Sequence, residues 1–250
     1  MAANFWKSSH CTQWLLDPSV SPFYKHDLEE FTPIELAKIH SEYASIIQRI
    51  GSSIRLQCPR RVVATAIVYF KRFYKRNSLT SYNPDLVAPT CLYFACKVEE
   101  FLVSAQQVVQ ACDEVLAKWK ETELLSCELL LLDELRHGSI VFHPYSCLDE
   151  YIVDLAADCV KEEARVVLND AFRTDVVLFY PPYMIALASI YSAAVLKKKD
   201  DVIDRVLGRA SEEAEVERIV LRLSEYYEIY PLLQQMSLSS LKEKFYKMQI

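Results

Sequence analysis

Two charged side chains interrupt apolar sequence, and specific polar contacts are most expected at these positions. Glu128 lies among leucines in the run LLSCELLLL at residues 124–132, and Lys97 follows the apolar run LYFAC at residues 92–96. An ionised carboxylate among leucines loses its hydration unless a donor replaces the water. Two interpretations stay open: Lys97 offsets a helix dipole while Glu128 makes an internal pair, or both residues face a partner protein.

Residue types found in catalytic and metal sites are present, but not in the required patterns. Glu134 and His137 have the Glu-x-x-His spacing of di-iron bundles, which also need a second such pair and two further carboxylates. The sequence has no phosphate-binding glycine loop, His-Glu-x-x-His signature, Gly-x-Ser-x-Gly elbow or kinase motif. We therefore expect a binding protein with no catalytic residue, metal or cofactor. Arg136 and His137 are interpreted as cations at the C-terminal end of a helix.

Three features indicate an intracellular protein that is not embedded in a membrane. The eight cysteines are scattered without Cys-x-x-Cys pairs, which is typical of reduced thiols in a cytosolic or nuclear protein. The N-terminus lacks the basic start and apolar run of a signal peptide. Residues 176–196 are uncharged and long enough to span a bilayer. Pro181 and Pro182 divide this segment, so we predict the central helix of a bundle instead.

The charge balance argues against nucleic acid as a direct partner. The formal charge is -6 and the isoelectric point is about 5.5, whereas nucleic-acid-binding domains usually have a basic excess. A local exception is a set of six basic residues: Arg60, Arg61, Lys71, Arg72, Lys75 and Arg76. We predict that this basic set is mostly a solvated helix face with some protein contacts.

Helical signals run through the whole chain, and strand signals are lacking. Capping boxes at residues 32–35 (TPIE), 104–107 (SAQQ) and 240–243 (SLKE) predict three helix starts. The three glycines of the chain, Gly51, Gly138 and Gly208, each follow a segment of helical periodicity. They are therefore predicted to end helices in the left-handed conformation.

The helices group into two series of five. We predict an N-terminal helix and connector at residues 1–31, five helices at 32–138, five more at 139–231, and a C-terminal helical tail at 232–250. Pro89 and Ala95 of the first central helix recur in the second as Pro182 and Ala188, at a constant offset of 93. The predicted fold is all-α, with two stacked five-helix repeats between an N-terminal helix and a short C-terminal helix.

Residues 88–100, APTCLYFACKVEE, resemble the third helix of a cyclin box, and the Lys-x-Glu-Glu ending is a signature of the cyclin family. Further segments resemble the C-type branch of that family: residues 4–6 (NFW), 63–66 (VATA), 69–74 (YFKRFY), 142–145 (FHPY) and 180–188 (YPPYMIALA). Cell-cycle cyclins carry a Met-Arg-Ala-Ile-Leu patch on their first helix, where residues 35–39 here read ELAKI. This departure favours a transcriptional role over substrate docking through that patch.

The resemblance implies an activating, non-catalytic subunit of a cyclin-dependent kinase of the Mediator complex. Such a kinase acts in the nucleus on RNA polymerase II, together with the other subunits of the Mediator kinase module. In this family, the lysine at the position of Lys97 and a glutamate on the fifth helix, here Glu128, face the kinase. The implied kinase-binding residues are Leu92, Lys97, Val98, Glu99, Glu100, Phe101, Glu128 and Leu131.

The resemblance implies two further roles, each with an alternative. Glu99 and Glu100 meet the arginines that receive an activation-loop phosphate in other kinases, or they form a solvated helix end. Trp6 and Asn169 line a groove for another Mediator subunit, or Trp6 packs within the protein. The alternative function is a two-repeat cyclin-fold general transcription factor that binds DNA or polymerase. The acidic charge and the Lys-x-Glu-Glu signature oppose it.

Overall fold

The computed structural model describes residues 4–112, 115–116, 118–209 and 213–247, and this part of the chain contains helices and no strands. The N-terminal segment forms a short 3-10 helix, Phe5–Lys7, then α1 (Ser9–Trp14) and α2 (Asp27–Glu30). The first repeat consists of α3 (Pro33–Gly51), α4 (Arg60–Arg76), α5 (Pro84–Val98), α6 (Ala105–Cys112) and α7 (Glu121–Glu134). The all-helical prediction is confirmed.

The second repeat has the same main helices with one short addition. It consists of α8 (Pro144–Asp154), a 3-10 turn Asp158–Val160, α9 (Lys161–Ala171), α10 (Val176–Phe179), α11 (Pro182–Lys197), α12 (Asp200–Arg209) and α13 (Glu213–Gln235). A final helix, α14 (Leu238–Lys247), follows. No helix in the described ranges is both long and apolar enough to cross a membrane.

Each repeat is built around its most apolar helix. In the first repeat, α5 packs against α3, α4, α6 and α7, and in the second, α11 packs against α8, α9, α12 and α13. A helix surrounded in this way must be apolar on most sides, because few positions keep contact with water. The helices that contain Pro89 and Pro182 therefore lie at the centres of their repeats, as their apolar composition predicts.

Side-chain caps set the start of several helices. The Thr32 hydroxyl accepts a hydrogen bond from the Glu35 amide at 3.2 Å, and the Glu35 carboxylate accepts one from the Thr32 amide at 2.9 Å. Ser104 and Gln107 make the same reciprocal pair at the start of α6. Both predicted boxes are confirmed, since each satisfies amide groups that the first turn leaves free. The third is wrong: α14 begins at Leu238, ahead of the proposed cap at Ser240.

The prediction of left-handed glycines at helix ends is wrong. None of the described glycines has a positive φ; six other residues do: Gln57, Glu100, Arg136, His137, Ala156 and Lys198. Two glycines instead allow close packing. A Cβ added to Gly51 would lie 2.7 Å from Val63 Cγ2, and one added to Gly138 would lie 2.6 Å from Trp14 Nε1. Absence of a side chain, rather than backbone freedom, explains these two positions.

Several predicted helix boundaries also need correction. The second repeat was predicted to have five helices, but residues 161–179 divide into two, α9 and α10, and the Thr174 hydroxyl accepts a hydrogen bond from the Val176 amide in the break. The fifth helix of the first repeat ends at Glu134 rather than His137. Helix α13 passes through Pro231 to Gln235, so it extends beyond the expected limit at residue 231.

Two members of the basic set are fully buried, so the prediction of a solvated face is wrong for them. Lys71 and Arg72 of α4 are each only 1% exposed. Desolvation lowers the pKa of Lys71 to about 8 and that of Arg72 to about 9. Arg72 Nη1 donates to the Gly138 carbonyl at 3.3 Å, and its guanidinium lies 5.2 Å from the Trp14 ring centroid. Arg72 thus attaches α1 and the segment between the repeats to α4.

Helix α14 folds back onto the first repeat. Leu241 is buried there, and Lys242 Nζ lies 2.6 Å from an Asp85 carboxylate oxygen while facing the Tyr43 ring. Lys244 pairs with Glu35 at the start of α3. The last described helix therefore covers the N-terminal end of α3, where residues 35–39 lie.

Candidate functional site

The two unusual charges of the sequence form an ion pair on one surface of the first repeat. Lys97, in the last turn of α5, places its Nζ 2.6 Å from Glu128 Oε1 on α7 and 5.1 Å from the Tyr93 ring centroid. The hydrogen bond to Glu128 raises the pKa of Lys97. The Lys97 side chain remains 51% exposed, whereas that of Glu128 is 11% exposed. The internal pair therefore exists, and Lys97 keeps half of its surface for a partner.

Exposed leucines lie close in sequence to the two residues of this ion pair. Leu129 follows Glu128 and is 71% exposed, Leu125 lies one turn earlier on α7, and Leu102 beyond α5 is 99% exposed. Large apolar side chains in water beside a charged pair are typical of a protein interface. We call these three leucines and the ion pair the α5–α7 surface.

The eight residues expected to bind the kinase do not all reach this surface. Val98 and Phe101 are partly buried and pack on the edge of the core. Leu92 and Leu131 are 0% exposed, because they point from α5 and α7 into the core of the first repeat. Their assignment as contact residues is corrected: both support the surface from behind.

The two acidic residues that end the signature differ in their surroundings. Glu99 Oε1 accepts a hydrogen bond from the Thr65 hydroxyl at 2.7 Å, and Glu99 also pairs with Arg61 at 3.4 Å. The His143 ring, which lies 3.9 Å away, is the main cause of a lowered Glu99 pKa. Glu100 has a φ of 57° and is exposed. Glu99 is thus held within the protein, while Glu100 faces solvent.

Trp6 and Asn169 lie against different neighbours. The exposed Trp6 ring contacts the Tyr183 ring, with centroids 6.1 Å apart. Asn169 Oδ1 accepts a hydrogen bond from the Tyr145 hydroxyl at 3.1 Å and lines a cleft of about 300 Å³ between the repeats. Trp6 is not among the side chains described as lining that cleft. A single groove that contains both residues remains a prediction.

Sequence reasoning missed which leucines are exposed. Leu102, Leu125 and Leu129 belong to segments that are apolar almost throughout, so periodicity does not separate their inner and outer faces. The position of Glu128 is the available signal, because exposed Leu125 and Leu129 lie three residues before it and one after it. Within the described residues, no group of three or more His, Cys, Asp or Glu side chains is arranged to hold a metal ion.

Comparisons with known proteins find a family match over most of the first repeat and relatives that match most of the chain. The family model described as the cyclin N-terminal domain matches residues 41–137. The chain is 41% identical to Cyclin-C1-1 of Oryza sativa subsp. japonica over 80% of this chain and 79% of that protein. It is 40% identical to Cyclin-C of Rattus norvegicus (80% and 74% covered) and 36% identical to Cyclin-C of Drosophila melanogaster (92% and 91% covered).

Two solved structures have the same fold. One is a chain of the CAK complex of Chaetomium thermophilum, bound to ATP-gamma-S, with a TM-score of 0.77, 23% identity, and 98% of this chain and 88% of that chain covered. The other is a chain of the yeast TFIIK complex, with a TM-score of 0.69, 23% identity, and 88% and 99% covered. At this identity, the likeness concerns the fold.

Proposed function

The chain belongs to the cyclin family, within its C type, and from that premise we propose that it is the activating subunit of the Mediator-associated cyclin-dependent kinase in the nucleus. It acts as a regulatory cyclin subunit and supplies no catalytic residue of its own. The observation that supports this role most strongly is the α5–α7 surface, where the Lys97–Glu128 pair stands among exposed leucines.

The surface suits the task of holding a kinase helix in place. A cyclin-dependent kinase is active when its C-helix lies inward and the helix glutamate pairs with the strand lysine that positions the ATP phosphates. Leu102, Leu125 and Leu129 offer the apolar contact for such a helix, and Lys97 and Glu128 offer charge-assisted hydrogen bonds that fix its register. Apolar contact supplies affinity, while the charged pair supplies orientation.

Glu100 is the better placed of the two acidic residues for the kinase activation segment. Glu99 already accepts from Thr65 and pairs with Arg61, whereas Glu100 is exposed at the end of α5. An exposed carboxylate next to the kinase surface can meet arginines that otherwise bind a phosphate. We therefore assign this role to Glu100 and a structural role to Glu99.

Reconstitution tests the proposed function directly. A purified Mediator-type cyclin-dependent kinase is titrated with the purified chain and assayed for phosphate transfer to a peptide of the RNA polymerase II C-terminal domain; in parallel, the two proteins are co-expressed and co-purified with nuclease treatment. Kinase activity should rise with added chain and level off at equal molar amounts. Activity that is independent of the chain, or association that is lost with nuclease, would contradict the proposal.

The DNA-binding alternative loses part of its basis in the structure. Two of the six cations of the basic set, Lys71 and Arg72, are buried and cannot reach a phosphate backbone. The strength of nucleic-acid binding follows the number of phosphates neutralised. The remaining exposed cations stand on a protein of net charge -6.

The exposed Trp6 supports a second surface for the other subunits of the Mediator kinase module. Exposed aromatic side chains are frequent anchors of protein interfaces, and Trp6 is 58% exposed although its ring contacts the rings of Phe5 and Tyr183. Replacement of Trp6 by Ala should leave kinase activation intact and weaken capture of the other module subunits. If wild type and Trp6→Ala captured the other module subunits equally, Trp6 would not belong to this second surface.

A further inference from the structure

Two cysteine thiols are in direct contact beside the α5–α7 surface. The Sγ atoms of Cys58 and Cys96 are 3.8 Å apart. Cys96 is buried in the last turn of α5, directly before Lys97, and Cys58 lies in the loop between α3 and α4. The Cys58 amide donates to the Gly51 carbonyl at 2.8 Å, which holds the loop against the end of α3. The two sulfur atoms are therefore kept together by elements of one repeat.

The two thiols differ in reactivity and in access. The hydrogen bond between the two sulfur atoms lowers the pKa of Cys58, and the same contact together with burial raises the pKa of Cys96. Cys58 also lines the cleft of about 300 Å³ between the repeats, with Arg60 on the same wall. A more acidic thiol in an open cleft is the one that small oxidants reach first.

We propose that Cys58 and Cys96 form a reversible intramolecular disulfide when the protein meets hydrogen peroxide. The Cys58 thiolate attacks one peroxide oxygen, the O–O bond breaks, and Cys58 becomes a sulfenic acid as water leaves. Cys96 then attacks the Cys58 sulfur, the S–S bond forms, and the second water leaves. Two thiols lose two electrons and two protons, and one hydrogen peroxide becomes two water molecules. A small thiol reductant reverses the reaction by exchange.

The geometry requires a small movement only. A disulfide has an S–S length of about 2.05 Å, so the sulfur atoms must approach by roughly 1.7 Å from their present distance of 3.8 Å. Most of this movement must come from the loop that carries Cys58, because Cys96 is buried in the core within α5. In a reducing compartment, disulfides of this kind are transient and report oxidation rather than maintain the fold.

Other cysteines provide internal controls. Cys91 and Cys127 are buried and burial raises the pKa of both thiols, so they should stay reduced. Cys159 is exposed and free, so peroxide should oxidise it without forming an internal link.

The test is peroxide titration of the folded protein, followed by alkylation of free thiols, non-reducing trypsin digestion and mass spectrometry. We expect a linked pair of peptides, residues 56–60 and residues 77–97, that separates on treatment with dithiothreitol. The longer peptide also contains Cys91, so fragment ions must place the link on Cys96. In Cys96→Ser, Cys58 should accumulate as a sulfenic acid that dimedone traps, whereas Cys159→Ser should form the link unchanged.

Two results would overturn the proposal. One is the absence of the link at peroxide doses that fully oxidise Cys159. The other is a link that appears only when urea has unfolded the chain, since the contact would then play no part in the reaction. Circular dichroism of each variant confirms that the protein under test is folded.

Discussion

The sharpest test of the α5–α7 surface is to compare what the Lys97–Glu128 pair contributes to folding with what it contributes to kinase binding. In the free protein, the pair is short at 2.6 Å, but the Lys97 side chain is 51% exposed. Solvent around Lys97 screens most of the Coulomb energy of the pair, so the interaction between the two charges should contribute only about 0.2 to 1 kcal/mol to the free energy of unfolding. Lys97→Ala and Glu128→Gln should consequently fold with nearly normal thermal midpoints.

In the proposed kinase complex, the same charges would be buried and the cost of removing one of them would rise. Truncation of one member of a buried, hydrogen-bonded charge pair costs about 2 to 5 kcal/mol of binding. This corresponds to an increase in Kd of about 30-fold to several thousand-fold. The expected signature is therefore a large loss of affinity with a small loss of stability.

The assay is surface plasmon resonance of purified chain on immobilised kinase, with kinase activity measured in parallel. Lys197→Ala is a matched control, because Lys197 and Glu163 form an exposed pair at 2.7 Å in the second repeat, with 46% and 35% of the side chains exposed. This control should bind normally. The same affinity for Lys97→Ala and wild type would refute the assignment.

A charge exchange distinguishes an internal role from a contact role. The double variant Lys97→Glu with Glu128→Lys restores an ion pair within the protein but reverses the charges that a partner meets. It should fold and fail to bind. Recovery of binding in the double variant would mean that the pair serves the fold of the cyclin alone.

Five further variants concern residues near the surface and in the core. Leu129→Ser should weaken kinase binding at least tenfold without lowering stability, whereas Leu131→Ala should cost about 2 to 5 kcal/mol of unfolding free energy in denaturant titrations, because Leu131 is 0% exposed. Glu100→Gln should reduce kinase activity in the phosphate-transfer assay at unchanged stability, while Glu99→Gln should lower the thermal midpoint. Burial lowers the pKa of His10 to about 3 in the folded protein. Below about pH 6.5, the unfolded state therefore binds one more proton than the folded state. The free energy of unfolding should consequently decrease by up to about 1.4 kcal/mol for each unit by which the pH is lowered. His10→Asn should show a shallower pH dependence in urea titrations.

Each of these predictions has an opposite outcome. Normal binding by Leu129→Ser would place the kinase elsewhere on the protein. Loss of activity in Glu99→Gln at unchanged stability would exchange the roles assigned to the two acidic residues. An equal pH dependence in wild type and His10→Asn would show that the histidine stays uncharged in both states or is exposed in both.

The sequence predicts the helices well because caps and apolar periodicity are local signals. Thr32 with Glu35, and Ser104 with Gln107, form the predicted boxes because the atoms involved are three residues apart. The role of Gly138 is different, since it depends on Trp14, which packs where a Cβ would lie. No pattern of neighbouring residues in the sequence predicts that contact. The glycine was therefore assigned to a backbone role that Arg136 and His137 fill instead.

The charged part of the site is predictable, but the apolar part is not. Glu128 stands out because a carboxylate among leucines needs a partner, and the structure supplies Lys97. In contrast, Leu129 and Leu131 are chemically equal and two positions apart, yet one is exposed and the other buried. The burial of Lys71 and Arg72 was missed for a related reason. Their neighbours, such as the Gly138 carbonyl, come from distant parts of the chain.

The return of α14 to the first repeat has a consequence for synthesis on the ribosome. Lys242 donates a hydrogen bond to Asp85, which lies 157 residues earlier in the sequence. At a synthesis rate of about 5 to 20 residues per second, Lys242 is therefore added roughly 8 to 30 s after Asp85. During translation, the Asp85 carboxylate can accept the hydrogen bond from the Tyr43 hydroxyl, but Lys242 has not yet been synthesised. The buried position that Leu241 fills is likewise still empty. The first repeat begins to fold early, but it acquires its full set of contacts only after translation of the second repeat is complete.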